Sequence, residues 1–147
     1  MRVFLSILVV VAALLAAAGP ALAQGSTTYV DSQTLLDAFG KKGGALAKGE
    51  QFSVSPNRRT ANGNVEIHEK ETDIFFVVDG SATLVTGGTA VEQRQTRPGQ
   101  FTAKGIDGGQ TYNLKKGDVV VIPAGQPHWF KEVHGFINYV TVKSIKP

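Results

Sequence analysis

The chain has 147 residues, with 15 lysines and arginines, 12 aspartates and glutamates, and no cysteine. That length corresponds to one domain. The basic residues are scattered rather than gathered in a stripe, which excludes a nucleic-acid-binding face, and without thiols any metal must be bound by nitrogen and oxygen ligands.

The chain opens on Met1-Arg2, a short positive start. Val3 to Ala18 is an apolar run interrupted only by Ser6, Gly19-Pro20 breaks any helix, and Ala21-Leu22-Ala23 is a small-x-small cleavage site. This is the order of parts in a secretory signal peptide. The competing reading is an uncleaved anchor, but the run falls short of the ~20 apolar residues a spanning helix needs. The expected mature chain begins at Gln24, keeps no stable membrane anchor, and is exported to the periplasm or the medium. Residues 1–23 carry one cation, Arg2, so the mature charge is close to neutral.

Residues 24–49 form an N-terminal segment. Within it Asp31-Ser32-Gln33-Thr34, followed by Leu35, Leu36, Ala38 and Phe39, predicts a short capped helix ended by Gly40. After Gly49 the texture changes. Short runs of Val, Ile, Phe and Thr alternate with Gly, Asn, Pro and Asp clusters over residues 50–147, which reads as an all-β domain of nine or ten strands. Strands are expected near Gln51–Val54, Asn64–Glu69, Ile74–Asp79, Ala82–Thr86, Ala90–Gln93, Phe101–Lys104, Gln110–Asn113, Val119–Ile122, His128–Lys131 and Phe136–Val142. A turn is expected at Asp79-Gly80, and an extra hairpin in the connection Ser81 to Lys116.

Two of these strands, Ile74–Val78 and Val119–Ile122, are apolar on both faces. A strand with one wet face would alternate. The outer face therefore needs cover, from a second copy in a homodimer or from the Asp31–Phe39 helix folded back over it.

Gly117-Asp118-Val119-Val120-Val121-Ile122-Pro123-Ala124-Gly125-Gln126-Pro127-His128 has a fixed pattern, G-x5-P-x-G-x2-H. Gly117 opens a turn into a buried strand, Pro123 and Gly125 bend the chain out of it, and the bend aims His128. Every fixed position matches the second conserved motif of the cupin family, so the chain resembles a small single-domain cupin. The first cupin motif, G-x5-H-x-H-x3-4-E-x6-G, is kept in spacing over Thr60 to Gly80. His68 and Gly80 match. Glu66 stands where the first histidine is expected, Asp73 where the glutamate is, and Thr60 where the opening glycine is. The resemblance implies a jelly-roll β-barrel with one divalent metal ion (Mn, Fe, Ni, Cu or Zn) in its mouth. Its ligands would be Glu66, His68, Asp73 and His128.

The residues by themselves allow two readings. Glu66 and His68 are two apart on a strand and share a face. A hairpin from His68 to Asp73 brings all three polar groups to one end, and two imidazoles with two carboxylates suit a first-row divalent ion. Alternatively, the carboxylates are solvated strand residues and His128 bonds a backbone carbonyl. Glu66 could be a ligand or a catalytic base. Arg58 is the expected contact for an anionic small molecule, one of the pair Arg58-Arg59 pointing inward, and Phe75 and Phe130 are the expected pocket lining, with Trp129 beside them. His134 is expected at the surface. Metal-dependent enzyme, ligand-binding module and structural barrel all remain compatible with this pattern.

Overall fold

The structure is a computed structural model that describes residues 26–41 and 44–147. The expected signal peptide, 1–23, lies outside the described residues. Among those described, one helix precedes eleven strands. Helix α1 (Ser32–Ala38) starts at the expected cap, where Asp31 Oδ1 accepts from Thr34 N at 2.9 Å and Oδ2 from Thr34 Oγ1 at 2.7 Å. These bonds satisfy a backbone donor that the first turn leaves unpaired.

The strands are β1 (Ala47–Lys48), β2 (Phe52–Arg59), β3 (Val65–His68), β4 (Glu71–Thr86), β5 (Thr89–Val91) and β6 (Arg94–Arg97). They continue as β7 (Gln100–Ala103), β8 (Gly105–Asp107), β9 (Gln110–Lys115), β10 (Val119–Ile122) and β11 (His128–Ile145). Nine of them form one antiparallel sheet in the order β1-β2-β11-β3-β7-β6, with β4 along β11 and both β9 and β10 on β4's far edge. The extra hairpin expected in the Ser81–Lys116 connection is β6–β7, and the remaining pair, β5 and β8, flanks it in sequence as a separate two-stranded sheet. The architecture is the all-β jelly-roll barrel indicated by the sequence.

The long strands differ from the sequence reading. Ile74–Asp79 and Ala82–Thr86 are one bent strand of 16 residues, and His128–Lys131 and Phe136–Val142 are one of 18. Asp79-Gly80 is therefore a bend and not a hairpin turn. Gly80 has φ +78°, and the pairing of β4 with β11 slips between Val133 and Ile137 opposite it. Such an irregularity re-aims the chain without ending the ladder, so one strand can serve both layers of the barrel.

Inside, Phe75, Val77, Leu84, Ile122, Phe130 and Ile137 form the centre of the core cluster. Outside, Ile74 pairs with Val121 and Phe76 with Val119. Phe76 is 48% exposed and Val119 and Val121 are 60% exposed, so α1 does not cover this face. Instead Phe39 and Lys41, just beyond the helix, flank Pro56–Arg58 of β2.

Candidate metal centre

Alternation along β3 buries Val65 and Ile67 and turns Glu66 and His68 into a cavity of roughly 610 Å³. Asp73 and Phe75 reach it from β4, and His128 from the start of β11, where it pairs with Glu66. The turn of the second motif is tied to β3. Gly125, at φ +83°, donates its N–H to His68 O at 2.7 Å, which sets His128 beside His68. The two imidazole centroids are 5.2 Å apart.

Asp73 Oδ2 lies 3.4 Å from His68 Nε2 and 3.6 Å from His128 Nε2, and Glu66 Oε2 lies 3.7 Å from His68 Nε2. One atom each from Glu66, His68 and His128 all lie within 4.8 Å of one another. Glu66, His68 and His128 thus form one group, and Asp73 forms a second with His68 and Glu71 while lying against both histidines through Oδ2. Asp73 is one methylene shorter than the glutamate of the family pattern, and its Oδ2 still lies within 3.6 Å of both Nε2 atoms.

Both histidines have their other nitrogen occupied. His128 Nδ1 donates to Gln126 O at 3.2 Å, and His68 Nδ1 donates to the side-chain carbonyl of Gln100. A carbonyl oxygen only accepts, so the proton sits on Nδ1 and the neutral ring turns an Nε2 lone pair inward. Both Nε2 atoms are buried and without a hydrogen-bond partner. Orphaned buried nitrogens of this kind are rare. Two of them facing two carboxylates are a donor set that fits a divalent first-row ion.

Lys143 completes the surroundings. Its Nζ donates to Asp73 Oδ1 and to Glu71 Oε2, each at 2.7 Å, leaving Asp73 Oδ2 for the histidines. Burial works to raise the Asp73 pKa, but the adjacent His68 ring, the bond from Lys143 and the ammonium charge outweigh it, so Asp73 is held below its ordinary value. His68 is also buried, which favours its neutral form, yet the nearby Asp73 carboxylate and the bond to Gln100 prevail against burial and Lys143 and raise its pKa. Burial dominates at His128 and lowers its pKa.

Of the arginine pair, Arg59 faces the cavity. It donates to Glu66 Oε1 at 2.7 Å and to Tyr139 Oη at 2.9 Å, and lies over the Phe130 ring. Arg58, the residue favoured from sequence, points outward to Asn138 and Phe136. Strand alternation decides this, since Ser55, Asn57 and Arg59 share the inner face. Phe75 and Phe130 line the cavity as expected, whereas Trp129 lines a separate depression with Gly63 and Lys104. His134 is exposed. Sequence reading missed Glu71, Gln100, Tyr139, Thr141 and Lys143. The signal for three of these was present as a period-two polar row, Tyr139, Thr141 and Lys143, alternating with Val140 and Val142.

The family profile described as Cupin matches residues 48–142. No curated protein matches the sequence. Among solved structures the chain is similar to BH2720 from Bacillus halodurans, at 15% identity and TM-score 0.57 over 84% of this chain and 85% of that one. It is also similar to KdgF from a Halomonas species, at 17% identity and TM-score 0.51 over 71% and 79%. A third likeness is to the Schizosaccharomyces pombe Cnp3 cupin domain, at 14% identity and TM-score 0.51 over 70% and 63%. At these identities the likeness is one of fold.

Proposed function

Since this chain belongs to the cupin family, we propose that it is an exported monocupin holding one divalent transition-metal ion (Mn, Fe, Ni, Cu or Zn) between Glu66, His68, Asp73 and His128. In the cavity beside the ion it binds or converts a small polar or anionic molecule. One observation carries this reading: two buried Nε2 atoms without hydrogen-bond partners converge on two carboxylates.

A bound ion supplies Lewis acidity or oxygen activation. The protein's own groups do the rest. Arg59 holds Glu66 in place, and Phe75 and Phe130 keep one wall of the cavity apolar. Glu66, 39% exposed, is the most accessible of the four ligand candidates, and where it does not ligate the ion it is the base that takes a proton from a bound molecule. A metal-free ligand-binding barrel is the second reading. It is favoured by Lys143, whose ammonium already puts a positive charge between Glu71 and Asp73.

The deciding measurement is metal content per chain, on untagged protein, for wild type and His128→Ala after identical loading and dialysis. The expected result is about one ion in the wild type and almost none in the variant, both with the same β-rich circular dichroism. Near-zero occupancy in both would end the metal reading. Export is tested separately by N-terminal sequencing of the product outside the cytoplasm. Gln24 is expected first, and retention of Met1 in a membrane fraction would overturn it.

A further inference from the structure

One wall of the cavity is polar along its whole length. Ser55, Asn57 and Arg59 alternate on β2, and Tyr139, Thr141 and Lys143 on β11, with Tyr139 opposite Asn57 and Thr141 opposite Ser55 in the ladder. The row runs for roughly 13 Å at ~3.3 Å per residue. Barrel stability does not require it. Apolar side chains facing inward here would contribute more through burial, and Tyr139 and Thr141 are buried.

The bonds within the wall leave hydrogen-bonding capacity for a ligand. Tyr139 Oη accepts from Arg59 Nε at 2.9 Å, which leaves the hydroxyl hydrogen to donate. Thr141 Oγ1 accepts from Asn57 Nδ2 at 2.9 Å and likewise keeps its hydrogen. Asn57 Nδ2 also donates to Ser55 O at 3.1 Å, which leaves Oδ1 as an acceptor. Donors and acceptors interleaved at strand spacing match a molecule whose own groups do both, namely hydroxyls on successive carbons. Phe75 and Phe130 offer such a molecule's C–H face an apolar surface.

Charge supplies a further contact from another strand. Arg59 is paired with Glu66, and Lys143 with Glu71 and Asp73. Arg97 lines the same cavity from an exposed position and has no carboxylate partner among the described residues. We infer that the β2–β11 wall recognises a small polyhydroxylated carboxylate, with its carboxylate on Arg97 and its hydroxyls on Asn57, Tyr139 and Thr141. This rests on the reading of the cavity as a small-molecule site and does not require the ion. A purely apolar ligand would strand the wall's donors and acceptors, and an unpaired buried polar group costs more than a missing contact.

The test is calorimetric titration of the untagged protein, ion-loaded and chelator-treated, with D-glucuronate, D-glucose and acetate. Glucuronate is expected to bind at least about tenfold more tightly than either of the others. Arg97→Gln should bring glucuronate down to the level of glucose and leave glucose unchanged. Thr141→Val should weaken glucuronate and glucose together and leave acetate unchanged. Acetate binding as tightly as glucuronate, glucuronate binding no more tightly than glucose, or no binding of any of the three would overturn the inference. Preference for glucuronate in protein that takes up no metal would sink the metal reading alone. Metal uptake without that preference would sink this one alone.

Discussion

Gln100 decides which nitrogen of His68 faces the cavity. Its carbonyl takes the Nδ1 hydrogen, and its amide hydrogen goes to Glu71 Oε1 at 3.0 Å, so Glu71 fixes the amide and the amide fixes the ring. Gln100→Leu removes that constraint. It should weaken divalent-ion binding by about 10- to 100-fold with the fold unchanged, read by titration against a competing chelator. Binding at wild-type strength would show that packing alone orients the ring. The protonation states add a sign. An ion needs both Nε2 lone pairs, and His68, with its raised pKa, is the ring that takes a second proton at Nε2 first as pH falls. Ion affinity should therefore climb with pH until it passes the raised His68 value, and then level off. The same titration from about pH 5 to pH 8 checks this, and a flat profile would contradict it. Metal-free stability runs the other way at this residue. The His68 contribution is complete below the unfolded value of 6.5 and is lost as pH rises through the raised folded value. His68 and His128 were legible in the sequence because motif spacing marks them. Gln100 was not, because it lies 32 positions from His68 and meets it only through the pairing of β3 with β7.

At the scale of elements, the bend in β4 lets one strand line both the core and the candidate metal centre. Phe75 and Val77 lie before Gly80 and Ala82 and Leu84 after it, and all four belong to one buried cluster. A Cβ on Gly80 would stand 2.1 Å from Phe136 O, in addition to the cost of φ +78° for a residue with a side chain. Backbone cannot yield as a flexible side chain does, so Gly80→Ala should cost about 3 kcal/mol of stability. Gly135 is the control. Its φ is +79°, but a Cβ there would meet nothing within 4 Å, so Gly135→Ala should cost only about 1 kcal/mol. Urea midpoints of the two variants separate steric from conformational cost, and equal losses would refute the steric argument. The sequence marked Gly80 as a break because glycine after aspartate signals a turn. It could not say whether the chain reverses or only bends there, since that depends on β11 running alongside. The helix cap at Asp31 and the β10 strand were legible, because their signals are local.

For the whole molecule, the open question is the outer face of β4 and β10. Ile74, Phe76, Val119 and Val121 are joined by the ladder into one apolar patch, and α1 lies elsewhere. Among the described residues β10 pairs only with β4, so its other edge is also unsatisfied. An apolar face beside an open strand edge is a site for association. We expect a second copy of this chain to cover it, because a two-fold arrangement buries the same patch on both partners and closes. Light scattering of the untagged mature protein at micromolar concentration should then give twice the chain mass. Val121→Glu places a charge in the centre of the patch on a side chain that is 60% exposed in the single chain. It should yield a monomer with unchanged circular dichroism and unchanged metal content, because Val121 faces outward with Ile74 while its neighbour Ile122 and the cavity-lining Asp73 face inward. A monomeric wild type would assign the patch to a different partner. A variant that loses metal along with its dimer would mean that the centre is shaped by the interface.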